Sequence, residues 1–588
     1  MTIFLVVLYL LVIATLGYLG YRKTHGASDY LVAGRDIHPY VMALSYGATF
    51  ISTSAIIGFG GAAGIFGMGI LWLTFLNIFV GIFIAFIFLG KRTRIMGYYL
   101  DAHTFPEFLS RRFQSPFLQK FAGIIIFIFM PLYAGVVLIG AAKFIEQQFM
   151  IDYTTALFFF TLIVAIYVIM GGLKGVMYTD AFQGTLMFVG MAILIIYTYY
   201  SLGGIIDAHS ALTEMAPPPP FVAKGHTGWT SMPTMGSDFW WVLVSTIVMG
   251  VGIGVLAQPQ LVVRFMTVKS NRELNRAVFI GGIFILLMTG VAFVSGSLSN
   301  VFFSKNVNKV EFCEITGAIA EACPGTKMVE VTKDNLNQLR KANPGIKPGD
   351  TVDIHKNVPH KITTKGSIAI VAAGGKVANI IPQYIKQAMP KWFAVIFMLT
   401  LLAAAMSTLS SQFHAMGTAI GRDFYEQIEK GREYSEERSV FISKLGIGLT
   451  ILVSVLLAYM LPKVYVKGEA IIARGTAIFF GLCAGSFLPA YVGGLFFKRI
   501  TKAAAITGMI GGFFTSAFWL LFVHATESSV IGLSQLIFGK PFLFGKPWII
   551  VDPMFIALPV SLLLTIGVSF FTKKLPEEHL DKCFKSIK

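Results

Sequence analysis

The stretch Gly47-Ala-Thr-Phe-Ile-Ser-Thr-Ser-Ala-Ile-Ile-Gly-Phe-Gly-Gly61 interrupts an apolar segment with glycines and a cluster of hydroxyl side chains. Glycine lowers the stability of a helix, so a membrane helix of this composition is predicted to unwind near its middle. A second stretch, Gly250-Val-Gly-Ile-Gly-Val-Leu-Ala-Gln-Pro259, adds a proline, which removes a backbone donor. The alternative is that the glycines only let neighbouring helices pack closely.

Both stretches belong to a chain of 588 residues that is 55% hydrophobic and only 13% charged. Soluble domains carry about 25% charged residues. Apolar segments of about 20 residues, the length that crosses a bilayer, recur along the whole chain. The composition excludes a soluble enzyme, a disordered chain and a disulfide-rich scaffold, and it predicts an all-α polytopic membrane protein.

Hydropathy and length predict 13 transmembrane helices, at 2–21, 39–64, 68–90, 121–146, 152–170, 180–202, 238–263, 276–300, 391–421, 440–461, 470–497, 503–523 and 553–572. The two glycine-interrupted spans are the second and the seventh. Because they are an odd number of spans apart, spans 2–6 and 7–11 would have opposite orientations in the bilayer. This predicts a 5+5 inverted repeat of broken helices, with a binding site where the two breaks meet.

The predicted organisation has five parts. They are a peripheral first helix with a cytoplasmic loop (1–38), a first five-helix repeat (39–202), an extracellular loop (203–237), a second five-helix repeat (238–497) that includes an extracellular excursion (301–390), and two peripheral helices with a cytoplasmic tail (498–588). Within the excursion, the apolar segment 368–389 predicts one or two short surface helices.

The net charge of +17 reflects topology, because Lys and Arg concentrate in alternate loops, including 264–276, and in the tail. This positive-inside pattern predicts a multi-pass protein of the cell membrane with its N-terminus outside and its C-terminus cytoplasmic, and it removes the need for a nucleic-acid partner. The first apolar run is followed by Arg22-Lys23, the reverse of a signal peptide. Cys313 and Cys323 lie in the outer excursion, where they could form one disulfide.

A hydroxyl-rich face marks the ninth span. At a spacing of three and four residues, Ala404, Ser407 and Thr408 lie on one side of this helix. A desolvated Na⁺ needs several oxygens, which these hydroxyls and the freed carbonyls near Ala48 and Ile51 in the broken second span could supply. The alternative is that the hydroxyls bond back to their own helix.

Three separated motifs resemble those of the sodium:solute symporter family. The first is Gly171-Gly-Leu-Lys-Gly-Val-Met-Tyr-Thr-Asp-Ala-Phe-Gln183, with Tyr178 where the family has tryptophan. The second is Gln258-Pro-Gln-Leu-Val-Val-Arg-Phe-Met266, and the third is Ala404-Ala-Met-Ser-Thr-Leu-Ser-Ser411 followed by Arg422-Asp-Phe-Tyr425. The motifs occur in order along the chain, and they say little about the substrate.

The resemblance implies a leucine-transporter-like fold, alternating access, Na⁺ as the coupling ion and no organic cofactor. Its central sodium site would use the carbonyls of Ala48, Ile51 and Ala404 and the hydroxyls of Ser407 and Thr408. A second sodium would use Asp180 with Ser410 and Ser411. The alternative role for Asp180 is a carboxylate at the N-terminus of the sixth span, favourable towards the helix dipole.

The resemblance also implies a substrate pocket between the second and seventh spans, with Ser52, Thr53, Ser54, Val251 and Val255 as candidates. Proline symporters have an aromatic pair where this chain has the two valines, and an aspartate where it has Phe50. Both differences argue against proline. The hydroxyls and bare amides of an unwound segment suit a small, partly apolar organic anion such as a monocarboxylate, because the N-terminus of a half-helix favours negative charge. An amino acid, a vitamin or a sugar is the alternative.

Two intramembrane residues, and the chain as a whole, have alternative roles. Arg474 could hold a substrate carboxylate or extend to the headgroups, and His414 could be a proton site, a gate or part of an inner vestibule. An intramembrane enzyme would need a nucleophile or metal motif, and no predicted span carries one.

Two further classes of membrane protein are alternatives to a transporter. A channel would lack the paired broken helices, and a transporter-like sensor would need a soluble domain. The expected partners are the lipid bilayer and a small-molecule substrate; the oligomeric state stays open.

Overall fold

The computed structural model describes residues 2–24, 26–305, 314–316, 319–321, 327–330, 351–355, 358–362, 368–373, 376–428, 436–464 and 471–587. Its α-helices are α1 (Thr2–Arg22), α2 (Ala27–Val32), α3 (Pro39–Phe50), α4 (Gly60–Phe66), α5 (Leu71–Ile78), α6 (Lys91–Tyr99), α7 (Phe105–Phe113), α8 (Pro116–Phe149), α9 (Tyr153–Leu202), α10 (Ile205–Glu214), α11 (Pro219–Val222), α12 (Asp238–Trp241), α13 (Gly252–Gly254), α14 (Pro259–Phe265), α15 (Asn271–Lys305), α16 (Ile368–Ala372), α17 (Ile380–Ala388), α18 (Lys391–Thr418), α19 (Glu426–Ile428), α20 (Glu436–Val464), α21 (Ile471–Phe496), α22 (Lys502–Phe518), α23 (Ala525–Ile531), α24 (Leu533–Phe538), α25 (Met554–Phe571) and α26 (Glu577–Cys583).

Segments of π-helix continue several of these helices, at Ser54–Phe59, Phe79–Gly90, Val242–Val251, Ala419–Tyr425 and Trp519–Val523. Short 3₁₀ turns lie at Ala33–Arg35, Gly67–Ile70, Val255–Ala257 and Val377–Asn379. The predicted polytopic helical membrane protein is confirmed, because 11 helices in the described part of the chain are long and apolar enough to cross a membrane. They are Phe4–Arg22, Ser54–Tyr99, Pro116–Glu146, Gly172–Leu202, Asp238–Ala257, Asn271–Lys305, Lys391–Tyr425, Arg438–Val464, Ile471–Phe496, Lys502–Val523 and Met554–Phe571.

This number differs from the 13 predicted spans for two local reasons. Predicted span 3 lies within the single helical stretch Ser54–Tyr99 together with the end of predicted span 2, whose first half is α3, and predicted span 5 corresponds to the shorter apolar helix Tyr153–Ala165. A glycine with a positive φ interrupts both the stretch Ser54–Tyr99 and the helix α9: Gly67 has φ 66° and Gly172 has φ 57°. At Gly67 the following amide, that of Met68, donates to the Trp229 carbonyl at 2.7 Å.

Five short strands lie in the excursion, so the description all-α holds for the membrane-spanning part and not for the whole chain. They are β1 (Glu314–Thr316), β2 (Ile319–Glu321), β3 (Lys327–Glu330), β4 (Thr351–His355) and β5 (Val358–Ile362). β1 pairs antiparallel with β2, and β3, β4 and β5 form an antiparallel sheet in that order. The helices α16 and α17 occupy the segment predicted as surface helices, but Ile380 and Tyr384 of α17 are fully buried.

Both glycine-rich stretches interrupt their helices. α3 ends at Phe50, and Ile51 takes an extended conformation with φ −90° and ψ 95° before the chain becomes helical again. In the other stretch Gln258 is extended, with φ −72° and ψ 118°, and Pro259 starts α14. The glycines of the second stretch also let a neighbouring helix pack closely, because a Cβ on Gly254 would lie 2.6 Å from the carbonyl carbon of Phe480. The two explanations of the glycines therefore apply together.

Burial separates a central group of helices from a peripheral one. In Lys391–Tyr425 and Ile471–Phe496, 89% and 83% of the most apolar window is buried. In Phe4–Arg22, Met554–Phe571 and Lys502–Val523 the buried shares are 17%, 28% and 33%, the lowest of the 11. The first helix and the last two therefore lie at the edge, and the hydroxyl-bearing helix α18 lies at the centre.

Candidate functional site

The broken helix α3 and the central helix α18 meet through hydroxyl and carbonyl oxygens. Ser407 Oγ donates to the Ala48 carbonyl at 2.9 Å and lies 3.3 Å from the Ala404 carbonyl. Thr408 Oγ1 donates to the Thr49 carbonyl at 3.0 Å and lies 3.4 Å from the Ala48 carbonyl. All five residues are fully buried. The structure thus brings together four of the five predicted central-site residues and adds Thr49.

The donor set of this central cluster is made of neutral oxygens beside a helix break. Such oxygens suit a hard cation of low charge, whereas nitrogen and sulfur ligands select transition metals. The fifth predicted residue, Ile51, is the buried extended residue at the break itself. Many buried hydroxyls bond a carbonyl of their own helix, as Ser454 Oγ does with the Thr450 carbonyl at 2.7 Å. Ser407 and Thr408 instead reach across to α3.

A second cluster surrounds Asp180, and it contains a cation that was not predicted there. Arg264 Nη2 lies 2.8 Å from Asp180 Oδ2, and both side chains are 0% exposed. The same nitrogen donates to Thr49 Oγ1 and to Ser411 Oγ, each at 2.6 Å. Asp180 also accepts from four hydroxyls: Ser45 Oγ at 2.9 Å, Thr49 Oγ1 at 3.3 Å, Ser410 Oγ at 3.4 Å and Ser411 Oγ at 3.4 Å.

The predicted second-site residues therefore converge, but they do so around a guanidinium group. Sequence reasoning counted Arg264 among the cations of a loop, whereas it lies in α14 at the centre of the protein. A basic residue directly after the apolar run Leu-Val-Val was the signal that could have identified it. The alternative role for Asp180 is wrong, because Asp180 lies more than two turns after the kink at Gly172 and not at a helix N-terminus.

The three substrate-binding candidates in the broken second span are all buried, but they differ in their hydrogen bonds. Thr53 Oγ1 donates to the Val137 carbonyl at 2.8 Å, which ties it to α8. Ser52 Oγ accepts from the Ser54 amide at 3.1 Å. The Ser54 hydroxyl is buried without a hydrogen-bond partner. Because a buried hydroxyl without a partner is costly, Ser54 is the one of the three that a bound ligand would satisfy.

The two valine candidates lie in the seventh span. Both are buried, Val251 at 4% and Val255 at 1% exposure. A Cβ on Gly81 would lie 3.4 Å from Val255 Cγ1 and 3.6 Å from Phe50 Cε1, so Val255 and Phe50 both face the third predicted span. This part of the region between the two broken helices is apolar.

A small cavity leads away from the Asp180 cluster. Its volume is about 20 Å³, enough for about one water molecule. Its polar lining consists of His103, Thr104, Gln260, Arg264, Ser411, His414, Thr418 and Asp423. The Gln260 side-chain oxygen is buried there without a partner. His414 is thus a cavity-lining residue next to Arg264, packed at 5.2 Å on the ring of Tyr30.

An ion-pair network lies beyond this cavity. Glu107 of α7 pairs with Arg422 at 3.1 Å. Burial alone would raise the pKa of Glu107, but the hydrogen bond with His103 and the charge of Arg422 hold the pKa of this carboxyl well below its usual range. Asp423 accepts from Thr104 Oγ1 at 2.6 Å. The network joins α7 to the π-helical segment Ala419–Tyr425 that continues the central helix.

Arg474 neither reaches headgroups nor stands ready for a substrate carboxylate. It makes a bidentate pair with Glu527, at 2.7 and 3.1 Å, and pairs with Asp552 at 2.9 Å. Burial alone would raise the pKa of Glu527, but Arg474 and His524 hold it well below its usual range. Burial raises the pKa of Asp552, and Arg474 offsets this only in part.

Replacing Arg474 by glutamine is expected to lower the melting temperature of the purified protein while leaving its KM for substrate unchanged. The variant leaves two buried carboxylates without their cation, which costs about 3–5 kcal/mol. The stabilisation of Glu527 by Arg474 is present in full above the unfolded pKa of about 4.3 and is lost as the pH falls towards the much lower folded pKa, so the difference from the wild type should shrink below about pH 4. A raised KM at unchanged melting temperature would instead support a substrate-binding arginine.

The predicted pair Cys313 and Cys323 lies outside the described residues. Of the cysteines within them, Cys483 and Cys583 are both buried and reduced.

Comparisons with known proteins agree along most of the chain. A family model described as the sodium:solute symporter family matches residues 30–322 and 358–512. The sodium/proline symporter 2 of Staphylococcus saprophyticus is 24% identical over 548 residues, covering 92% of this chain and 90% of the relative. A sodium/proline symporter of Staphylococcus aureus is 25% identical over 547 residues, with the same coverage.

The fold is also similar to that of a solved Na⁺-coupled sialic acid symporter in a substrate-bound, outward-open state. The TM-score is 0.66 at 17% identity, and the similarity covers 96% of this chain and 97% of the other.

Proposed function

Because the chain belongs to the sodium:solute symporter family and is a Na⁺-coupled symporter rather than an enzyme, we propose that it carries a small monocarboxylate by alternating access. It would do so through 13 spans arranged as a 5+5 inverted repeat, in a multi-pass protein whose N-terminus is outside and whose C-terminus is cytoplasmic. The observation that carries the proposal is the contact of the hydroxyls of Ser407 and Thr408 with the carbonyls at the break of α3.

Helix length supports the larger number of spans. The stretch Ser54–Tyr99 has 46 residues, about 69 Å as a straight helix, which is twice what a bilayer core of about 30 Å requires. The helix α9 has 50 residues and raises the same difficulty. Each is interrupted by a left-handed glycine, Gly67 and Gly172. Dividing α9 at Gly172 would give two crossings. Dividing Ser54–Tyr99 at Gly67 would leave Ser54–Phe66, about 20 Å long, to complete one crossing together with α3, while the remainder forms the next crossing, as the inverted repeat needs.

The proposed central sodium site uses the carbonyls of Ala48, Ile51 and Ala404 and the hydroxyls of Ser407 and Thr408. Support comes from the shared burial of these residues and from the short distances within the cluster. In the structure both hydroxyls donate their hydrogens to carbonyl oxygens. A cation bound between them would take the place of these hydrogens, so that lone pairs of the hydroxyl and carbonyl oxygens would all point at it. No charged side chain is needed for a monovalent ion held in this way.

The proposed second site uses Asp180, Ser410 and Ser411, and Arg264 controls access to it. A sodium ion at Asp180 Oδ2 would stand where Arg264 Nη2 stands now, 2.8 Å away. Two cations cannot share this position, so sodium entry requires the guanidinium to move. The adjoining cavity holds only about one water molecule, so it would have to widen to receive the guanidinium, and the unpartnered Gln260 oxygen in its lining would then accept a hydrogen bond from it.

The substrate class rests on what the break of α3 offers and lacks. The Ser54 hydroxyl without a partner and the amides of the interrupted helix suit a carboxylate. Phe50 and Val255 provide an apolar wall and no partner for an ammonium group. Proline is the second candidate, because the similar curated relatives are sodium/proline symporters; vitamins and sugars follow.

Energetics set the expected stoichiometry. One Na⁺ moving down about 100 mV gains roughly 2.3 kcal/mol, and a tenfold gradient adds about 1.4 kcal/mol. One Na⁺ with a monovalent anion moves no net charge, so accumulation is limited to about tenfold. Two Na⁺ restore a net charge and supply about 5 kcal/mol, or several thousandfold accumulation. A monocarboxylate substrate therefore makes the second site necessary for steep accumulation.

The test is uptake into proteoliposomes of a panel of labelled monocarboxylates, proline, other amino acids, sugars and vitamins. Each is measured with and without a sodium gradient and an imposed potential. We expect a monocarboxylate to accumulate only with sodium and to respond to the potential. Accumulation of proline alone would replace the proposed substrate, and uptake that ignores the sodium gradient would contradict coupling.

A further inference from the structure

An apolar cavity lies beside the central helix α18, where α1 packs against it. Its volume is about 410 Å³. It is lined by Val6, Val7 and Leu10 of α1, by Met398, Leu402 and Met406 of α18, and by residues at the end of α8 and the start of α9. The spacing of the three α18 residues, about two turns in all, extends the cavity about 12 Å along that helix.

The lining offers no polar group for water or for a polar ligand. Thr155 is its one polar side chain, and Thr155 Oγ1 already donates to Asp152 Oδ1 at 2.5 Å. Apolar cavities of this size stay dry, and they accept apolar guests. Phe149 and Phe159 at its edge are 42% and 58% exposed, so the cavity opens towards the bilayer, where acyl chains are the abundant apolar molecules.

Two charged groups lie near one end of the cavity. Lys386 Nζ lies 3.8 Å from the sulfur of Met150, and Met150 stands between the lining residues Phe149 and Ile151. Asp152 is exposed at the same end. An apolar slot with a cation and an anion at its mouth matches a zwitterionic phospholipid, which has an acyl chain, a phosphate and an ammonium group in that order.

We propose that this cavity binds one chain of a zwitterionic glycerophospholipid, with its phosphate at Lys386 and its ammonium at Asp152. The bound chain would support the wall of the central helix next to its transport residues. Met406 directly precedes Ser407, and its sulfur lies 3.6 Å from the hydroxyl of Tyr9. Tyr9 in turn accepts from Gln183 at 3.0 Å. The binding itself does not depend on which solute is transported.

The test uses the full chain in nanodiscs that contain phosphatidylethanolamine with a photoactivatable diazirine in its acyl chain. After illumination, cross-linked residues are mapped by mass spectrometry. We expect several-fold more cross-linking at Phe149 and Phe159, which line the cavity and are 42% and 58% exposed, than at Phe518 and Phe514, which are 42% and 59% exposed and do not line it. Even labelling of all lipid-facing residues would overturn the proposal.

Two matched pairs of variants sharpen the test. Leu10→Trp fills the cavity from the peripheral helix and is expected to abolish the cross-links there, whereas Leu11→Trp, at an exposed position of the same helix, is expected to preserve them. Lys386→Glu is expected to reduce labelling and Lys540→Glu to leave it unchanged. Labelling that survives Leu10→Trp, or a photoactivatable sterol that displaces the phospholipid, would show that the assigned occupant is wrong.

Discussion

Replacing Asp180 with asparagine is expected to lower the free energy of unfolding by about 3–5 kcal/mol, because it leaves the buried guanidinium of Arg264 without its counter-charge. Both side chains are 0% exposed and their atoms lie 2.8 Å apart, so water cannot take over the lost interaction. The same variant should lower substrate accumulation and remove the cooperativity of sodium activation. The measurements are the melting temperature in detergent and uptake as a function of sodium concentration.

A second variant separates the structural role of Asp180 from its ionic role. Asp180→Asn combined with Arg264→Gln leaves no charge buried, so stability should largely return. Sodium cooperativity should not return, since the carboxylate ligand is still missing. Asp29→Asn is the matched control: its pair with Lys174 is as short, at 2.9 Å, but partly exposed, and such pairs contribute at most about 1 kcal/mol. Cooperativity that recovers in the double variant would make Asp180 purely structural.

Local chemistry was sufficient to predict the helix breaks and the shared face of the central helix. Glycine and proline destabilise a helix wherever it packs, so the interruptions at Ile51 and Gln258 follow from neighbouring residues alone. Helical spacing likewise places Ser407 and Thr408 on one side of α18. What spacing could not show is that these hydroxyls reach the carbonyls of Ala48 and Thr49, more than three hundred residues earlier.

The long-range ion pairs of the protein could not be predicted from the sequence. Arg264 was assigned to a loop because its neighbours in the chain include other cations, but its partner Asp180 lies on another helix. Arg474 was interpreted without Glu527 and Asp552, which follow it by 53 and 78 residues. A buried charge is stable only with a partner, and the identity of that partner depends on how distant helices pack.

The strands of the excursion are a second feature that could not be predicted from the sequence. They lie in the part of the excursion for which the sequence predicted no helix or strand. The pairings are short and antiparallel, such as that between Thr351–His355 and Val358–Ile362. A strand this short has no pattern long enough to separate it from a loop, because the signal of a strand is alternation over several residues.

Removing both hydroxyls of the central cluster, in the double variant Ser407→Ala with Thr408→Ala, is expected to raise the sodium concentration for half-maximal uptake about 5- to 150-fold. Each hydroxyl contributes about 0.5–1.5 kcal/mol, and a total of about 1–3 kcal/mol corresponds to that range. The two oxygens contact the carbonyls of Ala48 and Thr49 across the helix break. Uptake at rising sodium concentrations, at fixed substrate, measures the change.

A matched control shows whether the loss is specific to these oxygens. Thr450 and Ser454 are also fully buried, but each hydroxyl bonds a carbonyl of its own helix, at 2.9 and 2.7 Å. Thr450→Val with Ser454→Ala removes the same number of buried hydroxyls without touching α3, so sodium activation should stay normal. If both double variants shift sodium activation equally, or neither does, the ion is not held by Ser407 and Thr408. A selective shift leaves coordination between the broken helix and the central helix as its cause, since burial and hydroxyl number are matched.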